Sequence, residues 1–339
     1  LQKPYIKGIM AYNSWSTLWL GVDNYNWNPL RTELDYIINV VGKQAFVEVA
    51  AGYCPTHPWP APLRAVIAER KDVSSQGCKP LQFYDPEYLN LYRGYIRALA
   101  QEMARFDSTD SRPTETNILF VRAAEMAETM ENLPNDNDLP NWEWTDFNPA
   151  PNGRIYQVNL TKDLKWAYYQ AVLTTYRDEL NAAYAAVGLP TPSMPAARNA
   201  STFWGATPVR DWVVDQGMLL DSHGAGPAPQ GEYDDVYYST QRLKTRATIE
   251  TGGFWNGAAS WIGEYSYWEA LANLHLGVEF MGTYGNSRAH STLQPLGPVS
   301  WEPNQETLIF ADKYAGEMRN PTTAPGVWKI GLPLAPPAP

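Results

Sequence analysis

The sequence predicts an α/β protein with a parallel sheet, and three observations support this fold class. Roughly seven or eight short apolar segments alternate with helical segments, a pattern typical of parallel strands joined by helical crossovers. No glycine-rich phosphate-binding turn follows the first expected strand, although open doubly wound sheets usually carry one there. The chain of 339 residues is long enough for one closed barrel. We therefore expect a single-domain (β/α)8 barrel, or TIM barrel, over residues 1–331.

The overall composition excludes some classes of partner. The formal net charge is −10 and the sequence has no basic run, which argues against binding to nucleic acid or to an anionic membrane surface. No stretch is apolar for long enough to predict a transmembrane helix. The 14 tryptophans and 21 tyrosines are unusual for this length, and they fit either a buried core or the rim of a pocket.

Two features bear on where the protein works. Cys54 and Cys78 are separated by sequence that contains proline and glycine, and we expect a disulfide that closes this loop. The alternative is two unrelated buried thiols. A disulfide fits an oxidising compartment, so a secreted, extracellular protein is expected. The Pro/Ala-rich tail Leu332–Pro339 is expected to be a linker stub, with a carbohydrate-binding module as the candidate domain beyond it.

The first half of the chain contains elements with recognisable ends. Pro29 suits the first turn of a helix, and Gly42 is placed to end that helix. In chain order, we expect a strand at Lys3–Tyr12, a short apolar segment at Thr17–Leu20, a helix at Pro29–Val41, a strand at Gln44–Ala51, a helix at Pro86–Phe106 and a strand at Asn117–Ala124.

The second half continues the alternation with shorter strands. Its longest helix is expected to end at Gly188. In chain order, we expect a helix at Leu164–Val187, a strand at Ser193–Ala197, a short helix at Pro208–Val214, a strand tip at Met218–Leu220, a helix at Val236–Ile249, strands at Ala258–Ile262 and Val278–Tyr284, and a helix at Gln305–Ala315.

One carboxylate near the end of the chain stands among aromatic residues. Glu264 follows an expected strand and has Trp261, Tyr265, Tyr267 and Trp268 beside it in sequence. In an α/β barrel, the carboxyl ends of the strands carry the chemistry. An acid among aromatic rings suits sugar hydrolysis, because rings stack on the C–H faces of pyranoses and the carboxylate acts at the anomeric carbon.

A second carboxylate is expected at a facing strand end. Glu125 follows the strand at Asn117–Ala124. If that strand is the fourth of the barrel and Ala258–Ile262 is the seventh, Glu125 and Glu264 occupy facing tips. Two carboxylates so placed can hydrolyse a glycosidic bond, one as the general acid/base and the other as the nucleophile.

Three segments carry a likeness to a known group of enzymes. They are WSTLWLGVDNYNW, VRAAEMAE and WIGEYSYWEALANLH. Their order resembles the superfamily of retaining (β/α)8 glycoside hydrolases that includes β-galactosidases and many polysaccharide endohydrolases. The resemblance implies an acid/base after strand four and a nucleophile after strand seven, here Glu125 and Glu264. The implied activity is retaining hydrolysis of a β-glycosidic bond in a polysaccharide or oligosaccharide.

The sequence departs from that superfamily at one position. Members usually have Asn directly before the acid/base, where this sequence has Ala124. Glu128 therefore stays open as an alternative acid/base. Glu250 ranks lower than Glu128 and Glu125, because the residues before it carry a helical pattern.

Residues near these strand ends are expected to bind the sugar. Tryptophans in loops are favoured as sugar platforms over tryptophans flanked by apolar residues. Glu48 lies inside an apolar strand and needs a partner, for which Arg122 and Arg198 are the candidates. The full expected set of substrate-binding residues is Trp15, Tyr53, Trp59, Arg122, Arg198, Trp204, Asp221, His223, Trp261, Tyr265, Trp268 and Tyr284.

The sequence indicates no cofactor or metal, since two cysteines and scattered histidines do not make a zinc motif. Two other interpretations stay open beside the retaining hydrolase. One is a non-catalytic barrel that only binds glycans, and the other is an inverting glycosidase.

Overall fold

The computed structural model describes residues 8–51, 58–72, 77–109, 117–121, 136–192, 195–196, 212–213, 215–223, 247–251 and 280–283. The chain divides into two compact units, with the change from the first to the second after Ala196. Each unit contains its own set of parallel strands. No described helix has the length and apolar character needed to cross a membrane.

The first unit combines short strands with two long helices. In chain order its elements are β1 (Gly8–Ser14), α1 (Trp15–Leu18), β2 (Trp19–Gly21), β3 (Asn24–Tyr25), α2 (Asn28–Asp35), β4 (Gln44–Ala50), α3 (Ala61–Val66), β5 (Glu69–Arg70), α4 (Pro86–Thr109), β6 (Ile118–Val121), β7 (Phe147–Asn148), α5 (Lys162–Val187) and β8 (Pro195–Ala196). A π-helical turn at Tyr36–Val40 extends α2, and 3-10 turns lie at Asp136–Asn141 and Trp144–Asp146.

The parallel sheet of the first unit has the strand order β1-β4-β6. Alternation along the strands gives it two different faces. Ala11 and Val47, in register on β1 and β4, have no exposed surface. Asn13 is on the same face as Ala11 and donates from Nδ2 to Glu33 Oε2 on α2 at 2.8 Å. This face of the sheet is therefore the one that the helices cover.

Aromatic rings fill the space between this sheet and the helices α4 and α5. The Trp15 ring stacks on Tyr92 of α4 at a centroid distance of 4.9 Å, and Tyr92 contacts Tyr176 of α5 edge-on at 6.0 Å. Trp15 Nε1 also donates to the Val49 carbonyl at 2.9 Å, which ties the ring to β4. These aromatic side chains thus bury a large apolar area between the sheet and the helices with few residues.

A buried ion pair fixes the start of α4. The Asp85 carboxylate, only 1% exposed, accepts a bidentate pair of hydrogen bonds from the Arg154 guanidinium and a third from the Glu87 backbone N–H. The neighbouring Gln82 side chain donates to the Tyr156 carbonyl at 2.6 Å and accepts from the Tyr156 N–H at 3.1 Å. The loop before α5 is therefore held against the N-terminus of α4.

The described part of the second unit contains three parallel strands, β9 (Leu219–His223), β10 (Ala247–Thr251) and β11 (Phe280–Thr283). β10 lies between β9 and β11 and pairs in parallel with both. Glu250 is in register with His223 on β9 and with Gly282 on β11.

Most of the expected elements of the first unit are confirmed. The strand expected at Gln44–Ala51 is β4, and the helices expected at Pro86–Phe106 and Leu164–Val187 are α4 and α5. Gly188 ends α5 in the left-handed region with φ of 73°, as expected for a glycine that closes a helix. The strand expected at Val278–Tyr284 is also confirmed as β11.

The strand count in the first unit corrects one expectation. The segment Thr17–Leu20 does not add a parallel strand, because it divides between α1 and β2, and β2 forms an antiparallel hairpin with β3. Asp23 closes that hairpin with φ of 54°. Among the described strands, β6 is therefore the third parallel strand in chain order. Glu125 lies outside the described residues, so its place after the fourth strand stays a prediction.

The helix expected at Val236–Ile249 is wrong at its end, because residues 247–249 belong to the strand β10. β10 and β11 are hydrogen-bonded neighbours, so no position between them is open to a further strand of this sheet. The strand expected at Ala258–Ile262 falls between them in sequence and lies outside the described residues. The tail Leu332–Pro339 and the helix expected at Gln305–Ala315 also lie outside them.

We predict that the Asp85–Arg154 pair matters far more for stability than a surface pair does. Arg154→Met leaves the buried Asp85 carboxylate without its partner and should lower the free energy of unfolding by about 3–5 kcal/mol. Arg97→Met breaks the exposed pair with Glu179 and should cost about 0–1 kcal/mol. Urea unfolding of both variants checks this, and equal losses would contradict it.

A second prediction concerns Asp107 at the end of α4. Burial raises the pKa of this carboxyl from its ordinary value of 3.8, although hydrogen bonds from the backbone of Asn117 and Ile118 act in the opposite direction. The folded state therefore holds the proton more tightly than the unfolded state, so stability from this group is lost as the pH rises through the raised pKa. Asp107→Asn should gain stability relative to the parent as the pH rises above 3.8, the ordinary pKa of this carboxyl. Parallel pH profiles in urea unfolding would contradict this.

Candidate functional site

The carboxyl half of the second unit's sheet brings ionisable residues to one face. Side chains of parallel strands alternate between faces, and residues in register share a face. Asp221 is in register with Thr248, and His223 is in register with Glu250. Asp221, His223 and Glu250 therefore occupy positions on the same face of β9 and β10. We call these three residues the 221–223–250 group.

The opposite face of the same sheet has a different composition. Its positions on β9 and β10 are Leu220, Ser222, Ile249 and Thr251. Parallel strands are usually covered on both faces and rich in aliphatic residues. One face of the sheet thus carries aliphatic and hydroxyl residues at these positions, and the other carries the three ionisable residues.

The first unit has the same division between faces. Tyr12 and Glu48 are in register on β1 and β4, on the face opposite Ala11 and Val47. Glu48 is only 2% exposed, and a buried carboxylate needs a partner. Glu48 does have an interaction partner, whereas the expected partners Arg122 and Arg198 lie outside the described residues. Glu48 therefore places a carboxylate on the face of β4 that does not meet α2.

A hydrogen bond at the carboxyl end of β1 has a structural role. Partial burial raises the pKa of the Glu33 carboxyl, while the hydrogen bonds from the Asn13 side chain and the Tyr12 backbone act to lower it. Asn13 is itself 5% exposed. The contact holds α2 against the end of β1, so these residues position the strand end and are committed to the scaffold.

Two of the expected sugar platforms are corrected by the structure. Trp15 is fully buried between Tyr92, Tyr95 and the Val49 carbonyl. Trp59 is 5% exposed, and its Nε1 donates to the Lys79 carbonyl at 3.0 Å. Protein atoms cover the faces of both rings, so neither can stack on a sugar. Both rings are part of the core, where large side chains supply apolar area that the short strands around them do not bury alone.

An aromatic pair that stays partly open lies after β1. Tyr25 and Trp27 stack at a centroid distance of 5.1 Å with an interplanar angle of 17°, and both are half-buried. The hairpin β2–β3 presents them shortly after the carboxyl end of the strand. Tyr25 is absent from the set of residues expected to bind sugar, because several other aromatic residues surround it in the sequence. The turn residues Val22 and Asp23 were the best local sign that a hairpin ends at Tyr25.

Most of the expected site residues lie outside the described residues. These are Glu125, Glu128 and Glu264 among the catalytic candidates, and Tyr53, Arg122, Arg198, Trp204, Trp261, Tyr265, Trp268 and Tyr284 among the substrate-binding candidates. Asp221 and His223 were expected after a strand that ended at Leu220, and they lie instead within β9.

Glu250 is the residue whose place differs most from expectation. The helical pattern before it made it a weak candidate, but it is the fourth residue of the five-residue strand β10. The β-branched residues Thr248, Ile249 and Thr251 around it are typical of a strand and were the available signal.

No group of three His, Cys, Asp or Glu side chains in the described part of the chain is arranged to hold a metal ion. Cys78 is buried and is not a free thiol, while Cys54 lies outside the described residues. The disulfide between them stays a prediction.

Comparison with known proteins gives a likeness in structure. No protein-family model matches the sequence, and no curated protein matches it. The catalytic domain of a β-amylase from Paenibacillus polymyxa is similar over 82% of this chain and 84% of that chain, with a TM-score of 0.50 and 8% identity. At this identity the likeness shows a shared fold.

Two further solved structures are less similar. A GH5-4 broad-specificity endoglucanase from an uncultured bacterium matches 92% of this chain and 81% of its own, with a TM-score of 0.48 and 10% identity. A glucosidase from Croceicoccus marinus matches 90% of this chain and 59% of its own, with a TM-score of 0.39 and 10% identity. Both TM-scores are too low to add to the first likeness.

The buried position of Trp15 generates a prediction. Trp15→Phe removes the hydrogen bond to the Val49 carbonyl and should lower the free energy of unfolding by about 1–3 kcal/mol. The matched variant Trp144→Phe changes a half-buried ring on a 3-10 turn and should stay within about 0.5 kcal/mol of the parent. Urea unfolding measures both, and a neutral Trp15→Phe would argue that the ring is not part of the core.

Proposed function

We propose that this chain is a glycoside hydrolase built on a (β/α)8 barrel. The observation that carries the proposal is the likeness in fold, over most of both chains, to the catalytic domain of a β-amylase. The parallel strands support it, since active sites of such barrels lie at the carboxyl ends of the strands. Here those ends carry a carboxylate in β10 and two ionisable residues in β9.

The two-faced character of both sheets supports the closed barrel. In a barrel, one face of every strand meets the outer helices and the other meets the interior. The face with Ala11 and Val47 is the one held to α2, and the face with Tyr12 and Glu48 is opposite. An interior that carries polar groups among the apolar ones is suited to a site at one end of the barrel.

The proposed mechanism uses two carboxylates and retains the anomeric configuration. Glu264 acts as the nucleophile and Glu125 as the general acid/base, with Glu128 as the alternative to Glu125. Glu125 would protonate the leaving oxygen while Glu264 attacks the anomeric carbon, and water would then release the sugar from Glu264 with Glu125 acting as base. Retention requires the two carboxyl groups to be about 5–5.5 Å apart, whereas inversion requires about 6.5–9.5 Å.

The proposed substrate is a β-linked polysaccharide or oligosaccharide. The aromatic residues Trp204, Trp261 and Trp268 would stack on sugar rings, and the half-exposed pair Tyr25 and Trp27 offers a further aromatic surface. The same proposal includes secretion and a disulfide between Cys54 and Cys78. No cofactor is required by a mechanism that uses carboxylates and water.

A second candidate function is a non-catalytic barrel that binds glycans. The residue that favours it is Ala124, which stands where the resembling hydrolases have Asn before the acid/base. Without that amide, one hydrogen-bond donor to the sugar 2-hydroxyl is missing, and the transition state loses part of its stabilisation.

The hydrolase proposal predicts a sharp loss of activity in two variants. On a panel of β-glucan, xylan, mannan and galactan, the parent should release reducing ends. Glu264→Gln and Glu125→Gln should each lower kcat by about 10²–10⁴-fold, because each removes a group that bonds to or protonates the reacting atoms. Asp72→Asn, at a side chain that is 84% exposed, is the matched control and should keep full activity.

The outcomes distinguish the candidates. If Glu128→Gln loses activity and Glu125→Gln does not, the acid/base is Glu128. A parent that binds these glycans and hydrolyses none of them contradicts the hydrolase and supports the binding protein. Proton NMR of the first-formed anomer separates retention from inversion.

A further inference from the structure

A glycosylation triplet in the loop before α5 has no part in the proposed hydrolysis. The pattern Asn-X-Ser/Thr, with X other than proline, marks asparagines that receive N-linked glycans on surface loops of secreted proteins. The sequence contains this pattern at residues 159–161 and 199–201. The second triplet lies outside the described residues, whereas the first is described completely. We call residues 159–161 the 159 sequon.

The Asn159 side chain is exposed and leaves its amide nitrogen available. Its Oδ1 accepts a hydrogen bond from the Trp144 backbone N–H at 3.0 Å. That donor fixes the orientation of the amide, because Nδ2 in the place of Oδ1 would put two donors against each other. In the described part of the chain, Asn159 Nδ2 donates no hydrogen bond. An N-linked sugar replaces one hydrogen on this nitrogen and keeps the carbonyl oxygen, so the contact with Trp144 survives the modification.

The backbone of the 159 sequon is held in place by contacts that a glycan would not disturb. The Leu160 N–H donates to the Trp142 carbonyl at 3.0 Å, and the Leu160 side chain is buried. The ion pair between Arg154 and Asp85 holds the same loop further upstream. Leu160 therefore faces the core while Asn159 faces solvent, and a glycan on Asn159 extends away from the core.

The third residue of the 159 sequon has a second role in the folded chain. Thr161 is exposed, and its Oγ1 accepts from the Leu164 N–H at 3.2 Å as the N-cap of α5. A hydroxyl at this position thus has a structural explanation of its own. The two roles can be separated by substitution, because Asp caps a helix as Thr does but does not complete the glycosylation triplet.

We propose that Asn159 is an N-glycosylation site whose Nδ2 carries the first N-acetylhexosamine of an oligosaccharide. The inference rests on the proposed secretion of this chain, and it agrees with the finding that Cys78 is not a free thiol. The sugar donor is an oligosaccharide linked through pyrophosphate to a lipid. The bond from Nδ2 to the anomeric carbon forms as the bond from that carbon to the pyrophosphate oxygen breaks. The pyrophosphate leaves with the electron pair, and Nδ2 gives up one proton.

The test is peptide mass spectrometry of the full chain collected from the medium of the cells that naturally make it. An amidase that cleaves between the first sugar and Nδ2 converts a modified asparagine to aspartate and leaves an unmodified asparagine unchanged. We expect aspartate at position 159 after this treatment and a glycopeptide at the same position without it. An unmodified Asn159 in the secreted protein overturns the proposal, and so does a chain that stays unmodified inside the cells.

Matched variants secreted from yeast assign the modification to the 159 sequon. All of them carry Asn199→Gln, so that the mobility shift on amidase treatment reports one triplet. Asn159→Gln and Thr161→Asp should each abolish the shift, whereas Thr161→Ser should keep it, because Ser completes the triplet and also caps α5. Thr161→Asp keeps the cap, and its thermal transition should match that of the deglycosylated parent. A shift that persists in Asn159→Gln, or that is lost in Thr161→Ser, contradicts the assignment.

The outcomes are independent of the proposed hydrolysis, because none of these measurements requires activity. If the secreted protein hydrolyses a glycan while its Asn159 is unmodified, the glycosylation site is overturned and the hydrolase stands. If Asn159 carries a glycan in a protein that hydrolyses none of the polysaccharides, the hydrolase fails and the glycosylation site stands.

Discussion

The alternation of side chains along parallel strands is the constraint on which the rest of this structure depends. Each strand pairs its backbone with its neighbours and sends successive residues to opposite faces. In β1 and β4, one face carries small aliphatic residues and a single amide that bonds to α2. In β9 and β10, the residues of one face are aliphatic or hydroxylated and those of the other include three ionisable groups. Helices usually cover parallel sheets, and an aliphatic face suits such a cover better than a face with ionisable residues.

Aromatic residues turn this requirement into a stable first unit. The strands are short, so the sheet alone buries little area, and rings from α1, α4 and α5 supply the rest. Hydroxyl and indole groups add a cost at such sites unless they find partners, which Trp15 Nε1 does at the Val49 carbonyl. The abundance of tryptophan and tyrosine is therefore explained in the described part largely by packing. That finding removes Trp15 and Trp59 as sugar platforms without weakening the case for Trp27, which stays half-buried.

How much of this could be predicted from sequence differs between elements. Long helices such as α4 and α5 carry many turns of apolar periodicity and a closing glycine, so their positions were clear. Short strands carry little signal: β10 has five residues, and the helical spacing upstream of it outweighed its β-branched residues. The register that joins Glu250 to His223 is a contact between distant segments, and no local pattern records it. The burial of a tryptophan ring also depends on contacts with residues far away in sequence, as the stacking of Trp15 on Tyr92 shows.

The central claim is that the polar face at the carboxyl ends of these strands receives a sugar. The most direct measurement is a crystal structure of Glu264→Gln protein grown with the hexasaccharide it binds best. We expect a sugar ring over the carboxyl ends of β9 and β10. Electron density for the sugar only at the amino ends of these strands, or only at a distant surface, would contradict the account.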